Sequence, residues 1–186
     1  KLNNTKFREE ISNLLDYGMM RYKDMYANHD ENNLVLYGKY SRKDVCRLMN
    51  WDKDESSTMY GYRIKHGTCP IFVTYEKKDD ISESTKYEDQ FINQKTFSWL
   101  TRSNVAIDNR ESQEIINYKN SGLKIVLFIK KSDGEGTDFY YMGEVVPKSW
   151  MQKTIKNNKG KELPIMNFIF ELEHSVREDI YEYLTN

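Results

Sequence analysis

Between Leu123 and Val146 the chain reads LKIVLFIKKSDGEGTDFYYMGEVV, two apolar runs around a polar, glycine-bearing centre. Leu123, Ile125, Val126, Leu127, Phe128 and Ile129 are almost uninterrupted and rich in β-branched and aromatic side chains. Ser132, Asp133, Gly134 and Gly136 supply turn chemistry, glycine taking positive φ without steric cost. Phe139–Val146 follows as the second run. The pattern predicts a β-hairpin whose first strand is buried on both faces. It sets a β-rich core and says nothing of function.

Elsewhere the periodicity alternates between helical and extended. Phe7, Ile11, Leu14, Leu15, Met19 and Tyr22 recur at three- and four-residue spacing and predict a helix over 4–27, with Asn4 or Thr5 as N-cap. Leu34–Tyr37 reads as a short strand or an extended entry after a polar break. Ser41-Arg42-Lys43-Asp44 has the form of a capping box and opens a helix through Trp51. Met59–Ile64 and Cys69–Glu76 predict a second hairpin, with Pro70 tolerable at an edge. Tyr87–Ile92, Thr96–Arg102 and Leu163–Leu172 are further strands. Asp108 or Asn109 caps a helix to about Lys119, and a last helix ends near Leu184. Short strands with peripheral helices predict an α+β domain, a small, partly open barrel. Residues 1–55 are expected to form an N-terminal helical segment bracing the barrel, and 56–186 the barrel itself, with one continuous domain as the alternative.

The charge balance changes the functional picture. A net charge of -1 over 186 residues, with 31% charged, excludes a molecule that attracts nucleic acid by its overall field. Any such contact has to come from local patches. Two cysteines, Cys46 and Cys69, are too few for a structural zinc site or a disulfide scaffold and are expected to be reduced. No apolar run reaches the ~20 residues of a membrane helix, so a cytoplasmic location without membrane contact is expected. The chain opens on Lys1, which reads as a fragment of a longer protein.

Catalytic signals are sparse. His29, His66 and His174 lie far apart with no partner at metal-ligand spacing, so no metal site is expected. A Glu76-Lys77-Lys78 run after the apolar Ile71–Thr74 segment has the form of a metal-dependent nuclease strand end. Such a site also needs an upstream aspartate on a neighbouring strand, whereas Asp52 and Asp54 precede a serine-rich turn. A solvated rim is the ordinary reading.

Phe72–Arg102 carries more. Tyr75, Tyr87, Phe91, Phe97 and Trp99 interleave with Ser84, Thr85, Glu88, Asp89, Lys95 and Arg102. Aromatic walls, a carboxylate and nearby cations are what an extruded base requires: rings stack, the carboxylate accepts from an exocyclic amine, cations hold phosphate. Core packing is the competing reading for each ring. A second patch, Lys148–Lys161, has five lysines, no acid and Trp150, and reads as a basic loop able to neutralise phosphates. Arg42, Lys43 and Arg47 form a third, weaker basic group.

Several blocks resemble a known family: LYGKYSRKDVCRLMNW (36–51), CPIFVTYEKKDDISESTKYEDQF (69–91), TFSWLTRS (96–103), KKSDGEGTDFYYMGEV (130–145) and GKELPIMNFIFELEH (160–174). They are similar to a domain of unknown function at the C-terminus of large bacterial helicase proteins, and in particular to SauUSI-like type IV modification-dependent restriction enzymes. That resemblance implies a PUA-like or SRA-like barrel that reads 5-methylcytosine, or 5-hydroxymethylcytosine, in duplex DNA by base flipping. The Asp79–Tyr87 run also faintly resembles YTH-type readers, which share that barrel.

The resemblance further implies that the domain itself is non-catalytic and needs no cofactor. ATP and Mg²⁺ would serve the helicase and nuclease domains of the same polypeptide. On chemistry, Tyr75, Phe91 and Trp99 are expected as pocket walls and Asp89 or Asp138 as the acceptor for the cytosine amine. Lys95, Arg102, Lys153 and Lys156 are expected on the DNA backbone. Trp99→Ala is expected to abolish methyl preference with the fold intact. The competing expectation is a docking domain of a helicase–nuclease, or a dimerisation domain that forms a homodimer, in either case without a base pocket.

Overall fold

The computed structural model describes residues 4–26, 34–76, 89–157 and 160–186, and the chain divides into two compact units, Lys1–Val35 and Leu36–Asn186. The first unit carries helix α1, Thr5–Tyr26. Asn4 accepts from the Phe7 N–H at 3.2 Å, satisfying one donor that a helix start leaves open. Ile11, Leu14, Leu15, Met19 and Tyr22 follow the expected spacing and are exposed.

The division falls at Val35/Leu36, and residues after Leu36 are built into the sheet. Strand β1, Lys39–Ser41, pairs antiparallel with the long strand β6, Asp138–Lys156, setting Tyr40 opposite Phe139. Helix α2, Arg42–Leu48, follows at once through the expected capping box: Ser41 accepts from the Asp44 N–H and the Asp44 carboxylate from the Ser41 N–H. Of the expected Leu34–Tyr37 strand or extended entry, Leu36 and Tyr37 form a turn. Tyr37 has φ 64°, a left-handed backbone, and its N–H donates to the Tyr141 carbonyl.

The other strands are β2 (Thr68–Thr74), β3 (Gln90–Asn93), β4 (Thr96–Leu100), β5 (Lys124–Lys130) and β7 (Glu162–Leu172). They form one mixed sheet in the order β2-β5-β6-β7-β4-β3, with β1 on β6. The expected central hairpin is present, Phe128 lying opposite Tyr141. β5 also pairs in parallel with β2, Ile71 beside Leu127. The second predicted hairpin shrinks to isolated pairings, Tyr62 with Ile71 and Lys65 with Thr68. Pro70 does sit on an edge strand, as a residue without an N–H must.

The largest difference concerns Lys148–Lys161, expected as a loop. β6 runs on to Lys156, paired with β7 out to Glu162, and a bulge between Pro147 and Ser149 absorbs the missing proline donor.

β5 is buried on both faces, as its composition requires. Ile125, Leu127 and Ile129 join Phe97, Trp99, Met166, Phe168 and Phe170 in the main core. Phe128, on the other face, stacks on Phe72 at 4.8 Å and meets Tyr40 edge-on at 6.5 Å. The sheet curls until the residue after β2 meets β3: Tyr75 and Phe91 stack with centroids 6.1 Å apart. Helices α3 (Arg110–Ile116), α4 (Tyr118–Ser121) and α5 (Glu178–Thr185) lie outside the sheet order. Asn109 caps α3 as expected, and Asn117 separates α3 from α4 where one helix was predicted. The result is the expected α+β, partly open barrel.

Candidate functional site

Where the curled sheet stops short of closing, a cleft of about 790 Å³ opens. Phe72, Val73 and Thr74 of β2 line one side, and Trp99, Leu100, Thr101 and Arg102 the other. The segment 56–62 lines a third, while Arg42, Asp89 and Asp133 supply charge.

Each side chain has a local reason for its place. β3 reaches only as far as the Gln90–Ser98 pair, so Asp89 stands just beyond the ladder. There its Oδ1 accepts the Leu100 N–H at 2.7 Å, standing in for a strand partner. The 56–62 segment is held against the β2 edge by the Phe72 N–H to Gly61 carbonyl bond at 2.7 Å. Gly61 takes φ 77°, which suits glycine in the tight path between Tyr60 and Tyr62. Tyr60 is 76% exposed, an aromatic face left at the cleft mouth. Glu55 anchors the start of this segment, taking Arg63 Nε and Lys65 Nζ at 2.5 Å each.

Tyr62 and Arg102, which line the cleft, share Glu111, which lines a neighbouring cavity. The buried Tyr62 hydroxyl donates to Glu111 at 2.7 Å, and Arg102 Nη2 donates to both Glu111 oxygens at 2.6 and 2.7 Å. The Arg102 guanidinium also lies 4.9 Å from the Tyr62 ring centre. Burial, then the Glu111 carboxylate, hold the Tyr62 phenol far above its ordinary value, so it stays a neutral donor. Arg42 is clamped differently, 5.4 Å from the Phe72 ring centre and 5.1 Å from that of Phe139. Its Nε is buried with no hydrogen-bond partner among the described residues. Burial lowers its pKa, and Asp133 opposes that shift.

Of the sequence-expected residues, the structure brings Asp89, Trp99 and Arg102 to the cleft. Trp99 is only 3% exposed, edge-on to Tyr62 at 5.0 Å and within 5.9 and 5.7 Å of Phe168 and Phe170. It is floor and core at once, which corrects the expectation that Trp99→Ala would leave the fold intact. Tyr75 and Phe91 face each other across the seam and do not line the cleft. Asp138 is exposed on β6 opposite Ser41, accepting from Thr137 at 3.0 Å, and does not line it either.

Lys95 donates to the Glu173 carbonyl at 2.8 Å, at the β3–β4 turn. Lys153 and Lys156 lie on the outer half of β6, an odd number of residues apart and so on opposite faces. Lys77, Lys78, Asp79, Asp80, Ile81, Ser84, Thr85, Lys86, Tyr87, Glu88, Lys159 and His29 lie outside the described residues. Sequence reasoning missed Tyr60, Tyr62 and Asp133; its one available signal was the Tyr-Gly-Tyr triplet, two rings about a flexible link.

Of the nuclease-like trace, Lys77 and Lys78 lie outside the described residues, and the described carboxylates have other partners. Glu76 pairs with Lys131, Asp52 with Lys65, and Asp54 with Ser56 and Lys43. Among the described residues no group of three or more His, Cys, Asp or Glu could hold a metal ion. No helix among them is long and apolar enough to cross a membrane. Cys46 and Cys69 are buried free thiols.

The family model for a domain of unknown function, DUF3427, matches residues 34–184. The chain belongs to this family. No curated protein matches this DUF3427 domain. Among solved structures it is similar to the DNA modification-dependent restriction endonuclease AspBHI, with TM-score 0.52 and 13% identity over 77% of this chain. The match spans 43% of the endonuclease chain, and at that identity it shows a shared fold. Weaker likenesses are to MspJI restriction endonuclease in complex with a 27-mer oligonucleotide (TM-score 0.44, 8% identity, 61% of this chain and 32% of that one) and to the sulfur binding domain and SRA domain of ScoMcrA complexed with phosphorothioated DNA (0.46, 8%, 87% and 49%). The DUF3427 match begins at Leu34, so α1 precedes it.

Proposed function

We propose that this DUF3427 domain reads a modified base, 5-methylcytosine or 5-hydroxymethylcytosine, flipped out of duplex DNA. The supporting observation is the cleft itself: an exposed ring, an apolar floor and a fixed carboxylate at the open seam of a half-barrel. Its similarity in fold to a modification-dependent endonuclease agrees with that reading. Tyr60 stacks on the extruded base, Trp99 and Tyr62 form the floor, and Asp89 accepts from the exocyclic amine. Met59, Val73 and Leu100 provide apolar surface for the 5-methyl group. Extrusion costs a few kcal/mol of lost stacking and pairing, which stacking at ~1–3 kcal/mol and base-edge contacts of similar size offset.

The outer β6–β7 hairpin, with lysines on both faces, has the form of a two-stranded ribbon that a major groove admits. Lys153 and Lys156 contact the DNA backbone, with Arg102 closer to the base. The domain acts as a non-catalytic specificity module without its own cofactor, in a cytoplasmic restriction enzyme whose helicase and nuclease domains use ATP and Mg²⁺.

Fluorescence anisotropy at one fixed salt concentration, with a 5-methylcytosine duplex and its unmodified twin, tests this. A preference of about tenfold, ~1.4 kcal/mol, is expected. Equal and steeply salt-dependent binding to both duplexes would refute base reading.

A second reading draws on α1, where Leu14, Leu15, Met19, Met20 and Tyr22 are each more than half exposed. An apolar helix face of this kind suits dimerisation or docking on a motor domain. Sedimentation of wild type against Leu15→Glu/Met19→Glu distinguishes them: a monomer in both cases removes dimerisation.

A further inference from the structure

Beside the main cleft lies a smaller one of about 400 Å³, and Arg42, Ser56 and Ser57 line both, so the two are contiguous. Their chemistries differ. The main cleft carries Asp89 and Asp133, whereas the lining of the smaller one has no acidic side chain. It has Arg42, Lys43 and Lys130, together with hydroxyls that include Ser57 and Thr137. Carboxylates suit the hydrogen-bond donors of a base edge, while cations and hydroxyls suit an anion.

The cations are placed by the fold. Arg42 is held between the Phe72 and Phe139 rings with its Nε buried and, among the described residues, unpartnered. Desolvating a guanidinium nitrogen without a partner costs stability, and a group kept in that state calls for a reason outside folding. Lys130 is nearly buried, its Nζ 2.9 Å from Asp133 and 3.1 Å from the Gly136 carbonyl, so its charge is fixed at the junction. Lys43 is half-exposed and 3.8 Å from Asp54, itself exposed, a surface pair that holds it weakly.

We propose that the smaller cleft is a phosphate subsite for the nucleotide whose base enters the main cleft, with Arg42 and Lys43 contacting one backbone phosphate. The proposal rests on the modified-base reading above. A base and its own phosphate are joined by one sugar, and the structure puts a base-type lining and a phosphate-type lining side by side with Arg42 between them. An arginine contact of this kind fixes the strand and carries no sequence information.

The test uses the whole chain and a duplex with one 5-methylcytosine, with neutral methylphosphonate replacing each flanking phosphate in turn. At one of those positions the neutral linkage should weaken wild-type binding by at least about fivefold, as expected when a charge-assisted hydrogen bond is removed. Arg42→Gln should bind the unsubstituted duplex more weakly and become insensitive at that same position, the non-additivity expected of two groups that touch. Thermal unfolding establishes that the variant is folded; if it is not, Lys43→Gln, at an exposed position, carries the same comparison. Wild-type insensitivity at both flanking phosphates, or undiminished sensitivity in the folded variant, would overturn the subsite. Failure of the base reading looks different: wild type would bind methylated and unmodified duplexes equally before any phosphate is altered.

Discussion

The backbone N–H of Leu100 donates to Oδ1 of Asp89 at 2.7 Å, so the strand that carries Trp99 also fixes a carboxylate at the cleft. One side chain therefore serves both the fold and the proposed base contact, and two substitutions separate those roles. Asp89→Asn keeps an oxygen acceptor for Leu100 but replaces a carboxylate with an amide. It should leave stability within about 1 kcal/mol of wild type and abolish methyl preference. Asp89→Ala should also destabilise by about 1–3 kcal/mol, because a part-buried donor is left without its acceptor. Urea unfolding and anisotropy on the same samples check both; preference retained by the folded Asn variant would remove Asp89 from the reading role.

Tyr60 and Trp99 should behave in opposite ways. Tyr60 is 76% exposed, so Tyr60→Ala should leave the urea midpoint close to wild type. It should weaken binding to a methylated duplex by about 1–3 kcal/mol, the value of one base–ring stack. Trp99 is packed on Tyr62, Phe168 and Phe170, so Trp99→Ala should lose about 3–5 kcal/mol of stability. A Tyr60 variant that binds like wild type would take the ring out of the site.

The hairpin lysines should affect affinity without affecting preference. Lys153→Ala and Lys156→Ala should each lower the slope of log affinity against log salt by about one, the effect of leaving one phosphate un-neutralised. The ratio between methylated and unmodified duplex should stay constant across both. A slope unchanged from wild type in the double variant would place DNA elsewhere.

Acid should loosen the segment that presents Tyr60. Lys65 holds the Asp52 and Glu55 carboxylates below their ordinary values by hydrogen bonding and charge. Their contribution to stability is therefore fully present above the unfolded values of about 4 and is lost as pH falls through the lower folded ones. Between pH 6 and pH 3 wild type should lose more stability than Lys65→Met, which keeps only the Arg63–Glu55 and His66–Asp52 pairs. Equal losses in urea titrations at the two pH values would show that the cluster does not couple to folding.

Legibility in the sequence followed local physics. The β5–β6 hairpin and the Ser41–Asp44 capping box depend on neighbours in the chain, and both formed as patterned. The parallel β2–β5 ladder did not announce itself, since such a pairing joins segments far apart in sequence. Neither did the outer half of β6, whose lysines and exposed Trp150 and Met151 lack the alternation of a half-buried strand. Trp99 shows what could have been read: it lies two residues from Phe97, so strand alternation puts both rings on the same, inward face. Tyr60 sits in Met59–Ile64, expected as a strand but reduced to isolated pairings, where only the folded chain reveals a ring left facing solvent.

β6 belongs to both halves of the sheet, pairing first with β5 and then with β7. It therefore works as a ruler. At roughly 3.3 Å per residue, two residues added after the Pro147 bulge would push the lysine-bearing tip outward by about 7 Å with every face preserved. One residue added there would instead turn the tip over, exchanging the sides on which Lys153 and Lys156 stand. The reach and the handedness of the hairpin are thus written in the length of a single strand.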